Sequence, residues 1–175
     1  MSWKEDGLTI VVRYKDGKFV QAITRGQGGL IGEDVTHTMR MCSDIPMMLP
    51  YSTDLQVRGE CLISYKEFNR INENLIEPYK NPRNLASGTV RQLDSSIAKK
   101  RKLSYKAFEL DQNEYYKDKT MWEQIMTVEE SFKYLEECGF NVVEHILVNK
   151  DNVEQMIESF NPQNYEFPVD GLIFK

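Results

Sequence analysis

The sequence predicts an α+β fold in which antiparallel sheets are flanked by a few helices. The first observation is a hairpin near the start: residues 8–14 and 18–26 are rich in strand-forming residues, and Asp16-Gly17 between them is a turn signal. The second is that later strand patterns alternate with only a few helical ones. With 175 residues, 41% of them apolar, the chain can bury one core, so we expect a single domain over residues 1–175.

The later elements follow from local patterns, in chain order. Strand-like runs and helical runs are each bounded by turn residues. The predicted strands are 55–63, 102–110, 141–148 and 170–175. The predicted helices are 65–74, 131–140 and 151–160. Residues 111–126 have the weakest pattern, which fits either a loop or a short helix.

Helix ends are predicted by capping residues. Ser64 with Glu67, and Thr127 with Glu130, have the spacing of a capping box in front of the first two helices. Gly139 fits a helix stop.

A glycine-rich loop follows the hairpin. Glycines 26, 28, 29 and 32 predict a loop able to approach a ligand closely, and Glu33 and Asp34 favour the first turn of a helix behind it. The spacing of "RGQGGLIG" matches neither a Walker A loop nor a dinucleotide fingerprint, and a loop after a hairpin lacks the strand–loop–helix setting of either. We therefore set both kinds of nucleotide site aside.

Composition excludes several classes of protein. A net charge of −5 argues against a general polyanion binder, so any nucleic-acid contact must be local. Cys42, Cys61 and Cys138 lack the paired spacing of a zinc site, which favours reduced thiols in a cytoplasmic protein and no structural metal. No run of 18 apolar residues and no leader pattern is present, so we expect no membrane association and no targeting.

Several short patterns contain polar residues that are candidates for catalysis or for binding an anion. Arg58 and Glu60 stand two apart on a predicted strand and so share a face, which any solvated strand would also show. Arg83 and Arg91 lie eight apart, close to one helical face, where they would converge on phosphate or carboxylate groups as bidentate donors. The competing interpretation is a helix that begins at Pro82 and has small residues for close packing. Lys4 at the entrance of the first strand is either a solvated terminus or a nucleophile, and the pattern Lys-x-Asp-Gly is too short to decide.

Taken together, these patterns resemble the adenylation (nucleotidyltransferase) domain of bacterial NAD-dependent DNA ligases. Five segments stand in the order of that family and cover nearly the whole chain: WKEDGLTIVVRY, AITRGQGGLIGEDVT, LQVRGECLISYKEF, NPRNLASGTVRQLD and PVDGLIFK. The resemblance implies a nucleotidyltransferase core of the ATP-grasp-like ligase type. It also implies a DNA ligase that uses NAD and Mg²⁺ to seal nicked duplex DNA, as in DNA replication and DNA repair.

The resemblance assigns roles at matching positions. Lys4 corresponds to the lysine that attacks the α-phosphate of NAD, expels nicotinamide mononucleotide and holds AMP through a phosphoramide bond; it must be neutral to do so. Catalytic roles are implied for Lys4, Asp6, Glu60, Asp170 and Lys175. Nucleotide-binding positions are Ser2, Arg25, Arg58, Glu60, Phe108 and Lys175; metal-binding positions are Glu60 and Asp170; DNA-binding positions are Arg83 and Arg91. For Phe108, a ring buried in the core is the competing interpretation.

The chain departs from the family pattern in several places. Ser2 stands where an adenine-reading acid is usual, and Gln27 stands where the glycine loop usually has aspartate. Only residues 1–3 precede the lysine, so we expect the domain that binds nicotinamide mononucleotide, the OB-fold and the C-terminal modules to be absent. The resemblance therefore leaves two alternatives. One is a catalytic core that self-adenylates, with a partner chain supplying missing domains; the other is a remnant or split-ligase half that binds adenylate or DNA without sealing nicks alone.

Overall fold

The computed structural model describes residues 1–26, 32–110 and 127–175 of the protein. Within these ranges six strands form two antiparallel sheets flanked by helices, which confirms the predicted α+β class. The strands are β1 (Ser2–Glu5), β2 (Leu8–Lys15), β3 (Lys18–Thr24), β4 (Leu55–Leu62), β5 (Ser104–Leu110) and β6 (Val169–Ile173). The helices are α1 (Thr36–Met39), α2 (Tyr65–Asn72), α3 (Pro82–Val90), α4 (Ser96–Lys100), α5 (Val128–Glu137) and α6 (Val153–Glu158), with a 3₁₀ turn at Pro162–Asn164.

The larger sheet has the strand order β3-β2-β4-β5. The predicted hairpin is confirmed: β2 and β3 are joined by Asp16 and Gly17, whose φ angles of 50° and 74° match the left-handed conformation that such a tight turn needs. Strand β4 lies in the middle of the sheet and pairs with β2 on one side and β5 on the other. Strands β2, β4 and β5 of this sheet carry residues that line the cleft described below.

One face of the larger sheet forms the core. Ile10, Val12, Val57 and Tyr105 are fully buried, and helix α3 covers them with side chains of the same apolar cluster. Polar side chains alternate with them and lie on the opposite face, among them Thr9, Arg58, Glu60 and Lys106. Because side chains alternate along these strands, the polar ones lie together on the face that the smaller sheet covers.

The smaller sheet joins the two ends of the described chain, because β1 pairs with β6. The register shifts between Lys4 and Glu5, as in a β-bulge. Trp3 packs the smaller sheet against aromatic residues of the segment before β6. Its ring lies edge-on to Phe160 at 6.0 Å and to Tyr165 at 5.5 Å between ring centroids.

Helix starts follow the predicted capping residues. Thr127 and Glu130 form a complete capping box, with Thr127 Oγ1 accepting from the Glu130 N–H at 3.1 Å and Glu130 Oε2 accepting from the Thr127 N–H at 2.9 Å. Ser64 accepts from the Glu67 N–H at 3.3 Å, but the Glu67 carboxylate binds Arg70 and Lys102 instead of closing the box. Gly139 has a φ of 91°, as a helix stop requires.

Thr127→Ala should lower the free energy of unfolding by about 1 kcal/mol, because the substitution removes a side-chain cap. Thermal or urea unfolding would measure the loss. Ser95→Ala is the matched control: Ser95 is the N-cap residue of α4 but makes no side-chain cap hydrogen bond, so this variant should be unchanged. Equal losses in both variants would contradict the capping explanation.

The strand predicted at 141–148 is wrong. This segment divides its hydrogen bonds between the two sheets: the Ala107 N–H donates to Asn141 O at 2.8 Å, whereas the Trp3 N–H donates to Glu144 O at 2.9 Å. Isolated bridges join Val142 to Ala107 and His145 to Ser2. A segment that changes partner after a few residues cannot form a continuous ladder.

Other boundaries are shorter than predicted. Strand β5 begins at Ser104, after Lys102 adopts a φ of 49°, and the helix predicted at 151–160 is confined to α6. Helix α1 has no acidic residue in its first turn; Asp34 lies before it and accepts from the Thr36 N–H at 3.0 Å. The predictions for residues 111–126 and for the glycine loop at 27–31 lie outside the described residues.

Cys42, Cys61 and Cys138 are buried free thiols. In the described ranges, the helices are all too short or too polar to span a membrane.

Candidate functional site

A cleft of about 320 Å³ separates the smaller sheet from the polar face of the larger one. It brings together residues that are far apart in sequence, from the first strand to the last. Nine of the predicted site residues line it: Ser2, Lys4, Asp6, Arg25, Glu60, Arg83, Phe108, Asp170 and Lys175. A chance scatter of motifs over an α+β scaffold would not place Lys4, Glu60, Asp170 and Lys175 in one cleft.

Lys4 reaches the edge of the cleft from strand β1. Its Nζ atom lies 2.6 Å from Oδ1 of Asp170 on β6, in an ion pair with both side chains about half exposed, at 52% and 43%. The amine is therefore partly solvated but held by a defined partner, and the nucleophile stays a prediction.

Arg83 and Asp6 form the second ion pair. Asn81 caps α3 by accepting from the Asn84 N–H at 2.8 Å, and Pro82 occupies the first helical turn. This start directs Arg83 toward the cleft, where Nη1 lies 2.8 Å from Oδ1 of Asp6.

Glu60 lies at the floor of the cleft on strand β4. Its carboxylate accepts from the Gly7 N–H at 3.2 Å and from the Thr9 hydroxyl at 3.0 Å. A side chain at Gly7 would collide with the carbonyl oxygen of Cys61, so glycine lets the chain pass close enough to donate. Burial raises the pKa of Glu60 to about 7, although these two hydrogen bonds and the charge of Arg83 oppose the rise. Near neutral pH this carboxyl is therefore poised between its two protonation states.

Lys175 and Phe108 close the far side of the cleft. The Lys175 Nζ atom lies 5.9 Å from the centroid of the Phe108 ring and 3.6 Å from Oε2 of Glu109. A regular strand would place Asp170 and Lys175 on opposite faces, but β6 ends at Ile173, so the backbone beyond it is free to turn Lys175 into the cleft. Phe108 is partly buried: it packs against the core cluster and also lines the cleft.

Two predicted site residues do not line the cleft. Arg58 donates from Nη1 to Oε1 of Glu109 at 3.1 Å, and Glu109 is also the acid that pairs with Lys175. Arg91 lies just beyond the end of α3 and pairs with Glu33 at 2.7 Å. Eight residues of helix separate Arg83 from Arg91 by about 12 Å along the axis, so the two arginines do not converge as predicted.

The cleft also contains groups that motif reading passed over. Thr9, Trp3 and Glu5 line it, and Lys106 lies behind them with its Nζ atom 3.0 Å from Oε1 of Glu5. The signal for Glu5 was its place beside the lysine in "WKEDG". The signal for Lys106 was a charge inside the strand pattern "SYKAF".

Charged side chains of both signs line the cleft. Four are cationic, from Lys4, Arg25, Arg83 and Lys175, and four are acidic, from Glu5, Asp6, Glu60 and Asp170. Glu5 is already paired with Lys106, and Glu60 has a pKa of about 7, so these two acids do not offset the cations in full. The cations can bind phosphate oxygens, the aromatic ring of Phe108 can stack on a base, and a lysine amine can act as a nucleophile. The arrangement therefore suits attack of an amine on a bound phosphate ester.

Comparison with known proteins points the same way. A family model described as the NAD-dependent DNA ligase adenylation domain matches residues 1–175. The chain is 42% identical to a DNA ligase of Lachnoclostridium phytofermentans and 37% identical to one of Ruminiclostridium cellulolyticum, over 99% of its own length in both cases. A DNA ligase of Metamycoplasma arthritidis is 36% identical over 98% of the chain. The chain spans about a quarter (26%) of the length of each of these relatives. On this match over its full length, the chain belongs to the NAD-dependent DNA ligase adenylation domain family.

Proposed function

We propose that the cleft binds NAD and that Lys4 attacks its α-phosphate to form a lysyl-AMP intermediate. The observation that supports this most strongly is the convergence of Lys4, Glu60, Arg83 and Lys175 on one cleft from four separate parts of the chain. In the step itself, a bond forms between Nζ and the α-phosphorus, and the bond from phosphorus to the pyrophosphate bridging oxygen breaks. Nicotinamide mononucleotide leaves with that oxygen.

Each residue has a separate role in the proposed reaction, set by its place in the cleft. Lys4 must lose a proton to solvent before it attacks, and Asp170, whose Oδ1 lies 2.6 Å from the amine, orients that amine in the cleft. Arg83 and Lys175 neutralise charge on the transferring phosphoryl group and on the leaving group, which is the main contribution a protein makes to phosphoryl transfer. Phe108 supports the adenine ring, Ser2 lies beside it at the cleft edge, and Glu60 accepts from the ribose.

The residues of the cleft fit Mg²⁺. Among the described residues no group of three His, Cys, Asp or Glu side chains is placed to hold a metal on its own. Mg²⁺ ordinarily binds through one or two carboxylates together with substrate phosphates, and Glu60 and Asp170 offer two such carboxylates. A divalent cation held by these carboxylates would supply charge neutralisation for the pyrophosphate.

We infer that the whole protein is a cytoplasmic DNA ligase with a nucleotidyltransferase core of the ATP-grasp-like ligase type, whose substrate is nicked duplex DNA. Residues 1–175 form the adenylation domain, and domains in the same or a partner chain bind nicotinamide mononucleotide and complete the enzyme. Arg83 would face the DNA or the leaving nucleotide, and Arg91 would contact the DNA backbone from the surface of α3.

Incubation with NAD and Mg²⁺ should add the mass of one AMP to the protein, and Lys4→Ala should abolish the gain, because the substitution removes the nucleophile. Intact-mass spectrometry measures both. The control is Lys66→Ala, which removes an exposed lysine on α2 and should adenylate normally.

An AMP gain that persists in Lys4→Ala would contradict the assignment of the nucleophile. If the wild-type protein gains no AMP even when an N-terminal nicotinamide mononucleotide-binding domain is supplied, the adenylate- or DNA-binding alternative replaces the enzyme.

A further inference from the structure

We propose that the buried ion pair between Glu5 and Lys106 is a positioning device for the nucleophile: it fixes β1 against β5 at the residue next to Lys4. The inference rests on the proposed function in so far as Lys4 is the nucleophile. Neither residue touches the reacting atoms in this proposal; both act through the position of their neighbour.

The geometry ties β1 to the larger sheet at the residue after Lys4. Lys106 Nζ on β5 lies 3.0 Å from Oε1 of Glu5, and both side chains are buried, with 15% and 2% of their surfaces exposed. The same ammonium lies 4.7 Å from the Phe167 ring centroid, just before β6, and 3.9 Å from Oε1 of Glu144. One cation therefore contacts three segments that surround Lys4.

Strand alternation explains why this contact matters for the amine, because Lys4 and Glu5 are consecutive residues that point to opposite sides of β1. The extra residue at the register shift lies on β6: Lys4 pairs with Gly171 and Glu5 with Val169, which leaves Asp170 between them. Lys4 is half exposed in the cleft, whereas Glu5 is directed inward onto Lys106. Backbone hydrogen bonds join β1 to β6 and, through the segment that contains Glu144, indirectly to β5. The Glu5–Lys106 pair adds a direct side-chain contact between β1 and β5.

The pair is a poor choice for stability alone. Burial raises the pKa of Glu5 even though Lys106 opposes the rise, so the charged form is held against a desolvation cost. In the described part of the chain, Oε2 of Glu5 is also buried without a hydrogen-bond partner. Replacing both members of such a pair with apolar residues is often neutral or stabilising, which suggests that position rather than stability is what the pair provides.

The test compares Glu5→Gln, Lys106→Met and the double variant Glu5→Leu/Lys106→Met with the wild type. The readout that needs no nucleotide is the rate at which a small amine-reactive reagent labels Lys4, followed across pH by peptide mass spectrometry. We expect labelling to rise by about tenfold, because a loosened β1 releases the amine from Asp170. In parallel, lysyl-AMP formation should slow by about 10- to 100-fold with little change in the KM for NAD, as expected when a nucleophile is misplaced.

Two controls match the variants. Lys106→Arg keeps the charge and should restore wild-type labelling. Glu67→Gln breaks a Glu–Lys pair of the same 3.0 Å length, to Lys102, far along the chain at α2, and should leave Lys4 unaffected. Circular dichroism confirms that each variant folds.

Unchanged labelling of Lys4 in the folded double variant overturns the proposal, whatever the adenylation rate. Failure of the double variant to fold also overturns it, because the pair would then serve stability. If the wild type forms no lysyl-AMP, the proposed function fails but the labelling comparison still decides this inference.

Discussion

Glu60→Gln should slow lysyl-AMP formation by about a hundredfold or more and yet stabilise the folded protein at neutral pH. The loss of rate is expected because, under the proposed function, Glu60 would contact the ribose and the cation, and a neutral amide replaces its carboxylate. The gain in stability is expected because the amide keeps hydrogen-bonding capacity toward Gly7 and Thr9 without the burial cost of a charge.

The pKa of Glu60 determines whether the free energy of unfolding rises or falls with pH. The pKa of Glu60 in the folded protein, about 7, lies above its ordinary value of 4.5. The folded state therefore binds the proton more tightly, and the wild type loses stability as pH rises from 4.5 through about 7, by up to about 3 kcal/mol. Glu60→Gln should match the wild type near pH 4.5 and exceed it at about pH 8, as urea unfolding at the two pH values would measure.

Glu67→Gln is the control of opposite sign. Burial acts to raise the pKa of Glu67, but hydrogen bonds from Arg70 and Lys102 outweigh burial and lower it. That stabilisation is present above the ordinary pKa and is lost as pH falls, so this variant should be weaker than the wild type at neutral pH and approach it in acid. Identical pH profiles for the two variants would contradict the assigned causes.

Gly59→Val should destabilise the protein by about 3 kcal/mol or more, the largest loss expected from any single change discussed. A Cβ at this position would collide with the ring of Tyr105 and lie 2.6 Å from the carbonyl oxygen of Lys106. Tyr105 is fully buried and donates its hydroxyl between the carbonyl oxygens of Ile10 and Val57, at 3.1 and 3.2 Å, so it cannot move aside without losing these bonds.

Gly171→Ala is the matched glycine control. Gly171 also lies in a strand, but a Cβ there meets no atom within 4 Å, so its free energy of unfolding should change by less than about 1 kcal/mol. Thermal unfolding of both variants measures the contrast. A small effect at Gly59 would show that the sheet can absorb a side chain at this point.

Local chemistry made much of the fold predictable. The hairpin at Asp16-Gly17, the capping box at Thr127 and the helix stop at Gly139 each depend on a few adjacent residues, and each is present. The segment 141–148 has strand-like residues but divides its pairing between two sheets, and no pattern within a segment reveals which partners it will meet.

Most residues around the cleft could be predicted from the sequence, but their contacts could not. Motif order identified nine lining residues, because the resemblance carries positions that act together, but it passed over Trp3, Glu5 and Thr9. It did not show that Arg91 would bind Glu33 or that Arg58 would bind Glu109. Those outcomes depend on helix length and on neighbouring acids, and the burial of Glu5 depends on Lys106, a partner 101 residues away in the sequence.

The pairing of β1 with β6 has a consequence during protein synthesis. Lys4 is synthesised 166 residues before its partner Asp170. At translation rates of about 5 to 20 residues per second, the two syntheses are separated by roughly 8 to 33 seconds. Until β6 has been made, β1 lacks its ladder partner and the Lys4 amine lacks its ion pair with Asp170.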